Sequence, residues 1–138
     1  NPSDWSALNS YANSLRNAGR LEEAIPLYQK AIRLTPIGTS ILYRDFGHAL
    51  RGTRRFEEAV SAYKKAIQLA PNDISAHLGL AATYTHMGRE QEARAEAAEV
   101  LRINPKFSLD SYAKSLSGIK DRSRIDNYIN ALRHAGLK

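Results

Sequence analysis

Apolar residues in this chain recur every three to four positions rather than every second one. The first stretch carries Leu8, Tyr11, Ala12 and Leu15, and the next carries Leu21, Ala24, Ile25, Tyr28, Ala31 and Ile32. That spacing predicts two amphipathic helices. Asp4 stands where it can accept from the first free amides, and "NAGR" with Gly19 supplies a turn between the two helices. Thr35 precedes Pro36, and the residue before a proline is pushed out of helical geometry, so the second helix is expected to stop there. Pro26 falls near the start of that helix, where its missing donor is tolerated.

The pattern then repeats. Pro2, Pro36, Pro71 and Pro105 are spaced by 34, 35 and 34 residues. "AIRLTP", "AIQLAP" and "VLRINP" lead into the last three, and further upstream stand "RLEEAIPLYQKAI", "RFEEAVSAYKKAI" and "REQEARAEAAEVL". This divides the chain into units 5–38, 40–73 and 74–107 and a tail, 108–138. Gly38-Thr39 adds one residue between the first two units. Residues 1–4, with Pro2 on the helix-ending position, read as the remnant of a preceding repeat, so the chain is expected to be a piece of a longer array. Small residues keep the period too: Ala12, Gly47 and Ala81, then Ala24, Ala59 and Ala93. Antiparallel helices approach closely where side chains are small, so these are expected crossing points.

These residues resemble the tetratricopeptide repeat, W-x2-L-G-x2-Y…A-x3-F…P. The copies run Leu8, Tyr11, Ala12, Leu15, Ala24, Tyr28, Pro36; then Tyr43, Phe46, Gly47, Leu50, Ala59, Tyr63, Pro71; then His77, Leu80, Ala81, Tyr84, Ala93, Ala97, Pro105. The resemblance implies an all-α fold, a right-handed α-solenoid of antiparallel helix pairs. The tail predicts two more helices, one capped by Ser108 and one with Ile125, Tyr128, Ile129 and Leu132 on a single face and Gly136 as terminator. A last pair with a more polar exterior is expected to cap the solenoid. The tail's Phe107-Ser108-Leu109, Lys120-Asp121, Tyr128-Ile129 and Ala135-Gly136-Leu137 resemble the C-terminal repeat region of bacterial class III adenylate/guanylate cyclases and related signalling regulators.

Composition narrows the function classes. There are no cysteines, which removes disulfides and thiolate chemistry and fits a cytoplasmic setting. The net charge of +6 is spread out, with the largest excess in the tail, six basic residues against three acidic. Nucleic-acid binders concentrate basic residues on one face with stacking aromatics, so nucleic acid is not the expected partner. The weaker reading, contact through Lys114, Lys120, Arg122, Arg124 and Arg133, predicts strongly salt-dependent binding. His48, His77, His86 and His134 form no metal-ligand spacing, and no phosphate-cradling glycine loop is present. Catalysis, cofactors, small-molecule substrates and a membrane span are not expected.

Binding is the expected role, with a protein or peptide as partner. Each first helix carries a second stripe: Asn9, Asn13 and Arg16; Arg44, His48 and Arg51; Leu78, Ala82 and Thr85. The family resemblance implies that this face lines the concave groove. A partner segment with an acidic side chain or carboxylate would suit Arg16, Arg44 and Arg51, with Asn9 and Asn13 pairing to its backbone. Chaperone-binding members grip a C-terminal carboxylate with a Lys/Asn/Arg clamp. Here Asn13 matches that clamp, but Asn9, Asp45, Ser75 and Gly79 depart from it, so a chaperone-tail clamp is not expected. Tyr11, Tyr28, Tyr63 and Tyr84 occupy core positions and are expected to be buried. The end around Trp5 and Leu8 is expected to offer apolar surface for self-association.

Overall fold

The computed structural model describes residues 4–35 and 39–138. The expectations placed on Pro2, Pro36 and Gly38 lie outside the described residues. Eight helices and no strands are found among those described: α1 (Trp5–Asn17), α2 (Leu21–Leu34), α3 (Ser40–Gly52), α4 (Phe56–Leu69), α5 (Ile74–His86), α6 (Glu90–Ile103), α7 (Leu109–Ser115) and α8 (Arg122–His134). The pairs α1–α2, α3–α4 and α5–α6 pack internally and stack through α2–α3 and α4–α5. The architecture is an all-α solenoid of helical hairpins.

Local chemistry sets the boundaries. Asp4, Thr39, Asp73, Ser108 and Asp121 each cap a helix, the side chain accepting from a backbone amide in the first turn. The second helix of each pair has no such cap. It starts at Arg20, Arg55 or Arg89, and a pair of carboxylates sits in its first turn, where the helix dipole favours negative charge. The three intra-pair turns are superimposable in their bonding. Arg20, Arg55 and Arg89 N–H donate to Leu15, Leu50 and Tyr84 C=O, each at 2.8 Å. This is a Schellman closure, which needs a left-handed residue just before the donor. Gly19 and Gly88 supply it at φ 84° and 75°, and Arg54 supplies it at φ 64°. The second helices end on extended residues, Thr35 at φ −119°, ψ 90° among them.

The expected crossing points are realised. Ala12, Ala24, Ala59 and Ala81 have no exposed surface, and Ala93 has almost none. Gly47 and Gly79 do more than let helices approach. A Cβ on Gly79 would meet Tyr63 Cζ at 2.3 Å, and one on Gly47 would meet Tyr63 Cε1 at 2.8 Å. Tyr63 of α4 is thus wedged between α3 and α5, where no larger residue fits on either side.

Tyr28, Tyr63 and Tyr84 are buried as expected, but Tyr11 is 57% exposed. Its side of α1 turns away from α2 and α3, the helices that α1 packs on. The repeat position is apolar, but no described helix covers it.

The tail takes a course the repeat pattern does not anticipate. α7 rests on α8, and α8 rests on α5 rather than continuing the stack behind α6. Ile125, Tyr128, Ile129 and Leu132 are buried, the face predicted from their spacing. Gly136 closes α8 at φ 108°. The chain end returns to the start of α7, Leu109 N–H donating to Lys138 C=O at 2.8 Å, with Leu137 buried beneath.

Candidate functional site

The concave stripe of the first helices is the candidate site, and its sequence-predicted residues have different fates. Every residue of α5 from Ala76 to Tyr84 is buried. Helices α4, α6 and α8 surround it. Leu78, expected to offer groove surface, is fully buried, and so is Ala82. The reason is α8, which lies on that face. Thr85 is partly exposed and its hydroxyl donates to the Ala81 carbonyl at 3.1 Å. The groove of the third unit is therefore filled by the protein's own tail. Uncovering it would expose Leu78, Ile125, Leu132 and Leu137 together, at about 1.5–3 kcal/mol for each large side chain.

The first two units keep a polar face, organised around a residue outside the stripe of Arg44, His48 and Arg51. Asp45 is 3% exposed. Its carboxylate accepts from Asn9 Nδ2 at 3.3 Å, Asn13 Nδ2 at 3.0 Å and Arg44 Nε at 3.2 Å. Arg16 Nη1 lies 3.8 Å from the same carboxylate and donates to the Asp45 carbonyl at 3.2 Å. Arg44 reaches on to Asp73 at 3.4 Å. Asn9 and Asn13 are thus engaged inside the protein rather than aimed at a partner's backbone. Asn13 is used at both ends, its Oδ1 accepting from the Tyr28 hydroxyl. Asn9 Oδ1 alone is buried without a partner among the described residues.

The second unit repeats this tyrosine device. Tyr63 stands to His48 as Tyr28 stands to Asn13, fifteen residues apart. The Tyr63 hydroxyl lies 2.7 Å from His48 Nδ1 and accepts from Arg51 Nε at 3.2 Å. His48 Nε2 lies 3.0 Å from the Ser75 hydroxyl. Burial, then the cations of Arg16, Arg51 and Arg44, hold the His48 imidazole well below its ordinary range. It is neutral at physiological pH and acts as a hydrogen-bond relay.

The tail completes the site. The Arg51 guanidinium lies over the Tyr128 ring, 4.0 Å from its centroid. Tyr128 and Tyr112 share a hydroxyl contact of 3.0 Å. Arg124 Nη2 donates to the Arg16 carbonyl at 3.2 Å, tying α8 to the end of α1. Between these parts is a cavity of ≈ 210 Å³. Arg16, Arg44 and His48 line it from one side, and Tyr112, Arg124 and Tyr128 from the other. Of the groove stripe, the structure brings Arg16, Arg44, His48 and Arg51 to this cavity and leaves Leu78 and Thr85 out of it. Arg124, one of the tail's basic residues, is turned inward to the same place.

Among the described residues there is no cluster of three metal-binding side chains and no helix long and apolar enough to cross a membrane. His77 and Glu96 are close, at 2.6 Å, but form an isolated pair.

No curated protein matches the sequence. Solved structures do. MamA matches at 20% identity with a TM-score of 0.75, over 98% of this chain and 78% of that one. The TPR domain of Arabidopsis OM64 matches at 16% identity and 0.74, over 96% of this chain and 93% of that one. The first TPR of Spaghetti (RPAP3), bound to the HSP90 peptide SRMEEVD, matches at 19% and 0.74, over 98% and 92%. At these identities the likeness shows the fold. Two family profiles described as tetratricopeptide repeat match residues 6–72 and 50–118, the second spanning half the chain. The chain belongs to the tetratricopeptide repeat family.

Proposed function

We propose that the chain is a non-catalytic protein–protein interaction scaffold that takes an acidic peptide segment, or an acidic loop of a neighbouring domain, against the groove of its first two units. The observation that carries this is the cavity beside α1 and α3, where Arg16, Arg44, Arg51 and Arg124 meet a single lining carboxylate, Asp45. Arg16 and Arg44 keep part of their side chains in solvent, 17% and 26%, so an arriving carboxylate can reach them. A partner is then recognised by charge at the N-terminal half of the groove, since the third unit is filled by α8. The Spaghetti neighbour's peptide, SRMEEVD, is acidic at its end. A carboxylate clamp in this chain would use different residues, because Asp45 and Ser75 are committed to Arg44 and His48.

Fluorescence-polarisation titration of acidic heptapeptides against their Lys-substituted and amidated forms tests this. Arg44→Glu is expected to weaken acidic-peptide binding at least about tenfold, each lost charged contact being worth roughly 1.5–3 kcal/mol. Equal binding of acidic and basic peptides, or an unaffected Arg44→Glu variant, would sink the reading.

The wider setting rests on the tail, whose resemblance to cyclase C-terminal regions supports a place in a larger, cytoplasmic bacterial signalling or regulatory protein. There the groove would act in cis on an upstream adenylate cyclase or DNA-binding domain. Self-association has separate support: Tyr11 is exposed beside partly buried Trp5 and Leu8, an apolar face on α1. Sedimentation of Tyr11→Lys beside the parent chain tests it, and a monomer in both cases would remove the idea.

A further inference from the structure

The cavity between the repeat groove and the tail holds more positive charge than its own partners neutralise. Arg16 and Arg44 share Asp45, and Arg44 also reaches Asp73. Among the described residues neither Arg51 nor Arg124 makes an ion pair. Arg51 is held by neutral groups, the Tyr63 hydroxyl and the Tyr128 face. Arg124 is held by the Arg16 carbonyl. Each guanidinium has five N–H donors, and these anchors use one from each.

The imbalance is felt nearby. Burial and then the Arg51 cation lower the affinity of Arg124 for its proton; the Asp121 carboxylate opposes them and the Arg16 cation adds to them. His48 is pressed the same way by three arginines after burial. Half-buried cations without an ion-pair partner are unfavourable, and a bound anion offsets that contribution. The anchors fix both forks in place, so their free edges are pre-organised for a planar or tetrahedral oxyanion. The space suits one: the cavity of ≈ 210 Å³ is many times the ~10–15 Å³ that a single water requires.

We propose that this cavity is an oxyanion site, built jointly by α3 and α8, which receives one carboxylate or phosphate group at the free edges of Arg51 and Arg124. The repeats alone do not make it, because Arg124 and the Tyr128 support both come from the tail. The site stands whether or not the groove takes a peptide, since a free ion can fill it.

Inorganic phosphate is the first probe, titrated into the full chain at matched ionic strength against chloride. The readout is the side-chain Nε–Hε NMR signals of Arg51 and Arg124, with Tm alongside. Phosphate is expected to shift both signals saturably and to raise Tm more than chloride does. Arg124→Gln is expected to weaken phosphate about tenfold or more while keeping a dispersed amide spectrum. Arg51→Gln is the companion variant, and Arg124→Gln decides the matter if Arg51→Gln fails to fold. A second arm uses an acidic peptide and its C-terminally amidated form in competition with phosphate. Displacement by the free-acid form alone assigns the source as a chain-terminal carboxylate, and displacement by neither assigns phosphate. Identical responses to phosphate and chloride, or an undiminished response in Arg124→Gln, would overturn the site. A chain that binds acidic peptides without a saturable phosphate response keeps the groove reading and loses this one. The opposite result keeps this site and loses the peptide groove.

Discussion

The guanidinium of Arg51, on the last turn of α3, lies 4.0 Å above the ring of Tyr128 on α8. This contact joins the repeat array to a tail whose sequence follows another pattern, and Tyr128 is buried there with its hydroxyl against Tyr112. Tyr128→Ala is expected to lower stability by about 3–5 kcal/mol, the range for deleting a buried aromatic ring. Tyr128→Phe keeps the ring and the cation above it, and loses only about 1 kcal/mol with the hydroxyl. Urea unfolding of the two variants checks the contrast. Near-equal losses would mean that the hydroxyl, rather than the ring under Arg51, holds the tail.

If α8 is an integral closure, ending the chain after Lys106 must damage the repeats themselves. The truncated chain would expose Leu78 and Ala82, both fully buried in the whole chain. Loss of cooperative unfolding or concentration-dependent association is expected, measured by circular dichroism melts and sedimentation. A truncated monomer with an unchanged Tm would show instead that the tail only rests on a finished solenoid.

The wedge of Tyr63 predicts a coupled pair. Gly79→Ala places a Cβ 2.3 Å from Tyr63 Cζ, and the ring cannot retreat because Gly47 backs it from the other side. Overpacking of this kind costs about 1–3 kcal/mol. In a Tyr63→Leu background the same substitution should cost much less, because the obstructing ring atoms are gone. A double-mutant cycle measures the difference. Additive losses would place the strain of Gly79→Ala somewhere other than Tyr63.

The hairpins were legible because three copies agreed: the periodic apolar stripes, Asp4 and Ser108 as caps and Gly136 as terminator all stand where the pattern placed them. The all-α solenoid followed from the same agreement. The groove was less legible, for two physical reasons. Helical spacing shows which residues share a face, but not what later segment comes to lie on it, so spacing alone leaves Leu78 on an open face although it is fully buried. A stripe at i, i+4, i+7 also steps over its neighbours, so it leaves out Asp45 beside Arg44, and only the clamp comparison puts Asp45 on a groove position. One signal was available. Tyrosine in place of phenylalanine at positions 28 and 63 leaves a hydroxyl that must find a partner in the interior. The residues fifteen positions earlier, Asn13 and His48, are those partners.

Arg54 carries a local strain that the other two turns avoid. At φ 64° it occupies the left-handed position filled by Gly19 and Gly88 in the first and third units. A side-chain-bearing residue is disfavoured there by roughly 1–2 kcal/mol. Arg54→Gly removes that penalty, and the added freedom of the unfolded chain returns part of it. The loss of the Arg54 cation 5.2 Å from the Phe56 ring is a smaller deduction. A net gain of a few tenths to about 1 kcal/mol is expected, against a loss for Gly19→Ala or Gly88→Ala. Thermal melts of the three variants check it, and a lower Tm for Arg54→Gly would show that the arginine's contacts outweigh its backbone strain.

His77 gives the fold a pH dependence with a definite sign. Its Nδ1 lies 2.6 Å from Glu96 Oε2 and its Nε2 lies 2.7 Å from the Pro71 carbonyl oxygen. Both partners only accept, so the doubly protonated ring satisfies both at once. The Glu96 hydrogen bond accordingly raises the His77 pKa above its ordinary value, against the effect of burial. A histidine with a raised folded pKa contributes stability that is full below its unfolded value, about 6.5, and is lost as pH rises through the folded value. His48 and His86 are shifted the other way, chiefly by burial, so they remove stability as pH falls below about 6.5. Raw stability therefore mixes opposing slopes. The difference between the parent chain and Glu96→Gln isolates His77, because the substitution leaves the other two histidines in place. That difference should be largest below about pH 6 and shrink as pH rises through the His77 transition. Urea unfolding across pH 5–9, with NMR titration of the three imidazoles, measures it. A difference that grows with pH, or a His77 that titrates below His48, would contradict the charged pairing with Glu96.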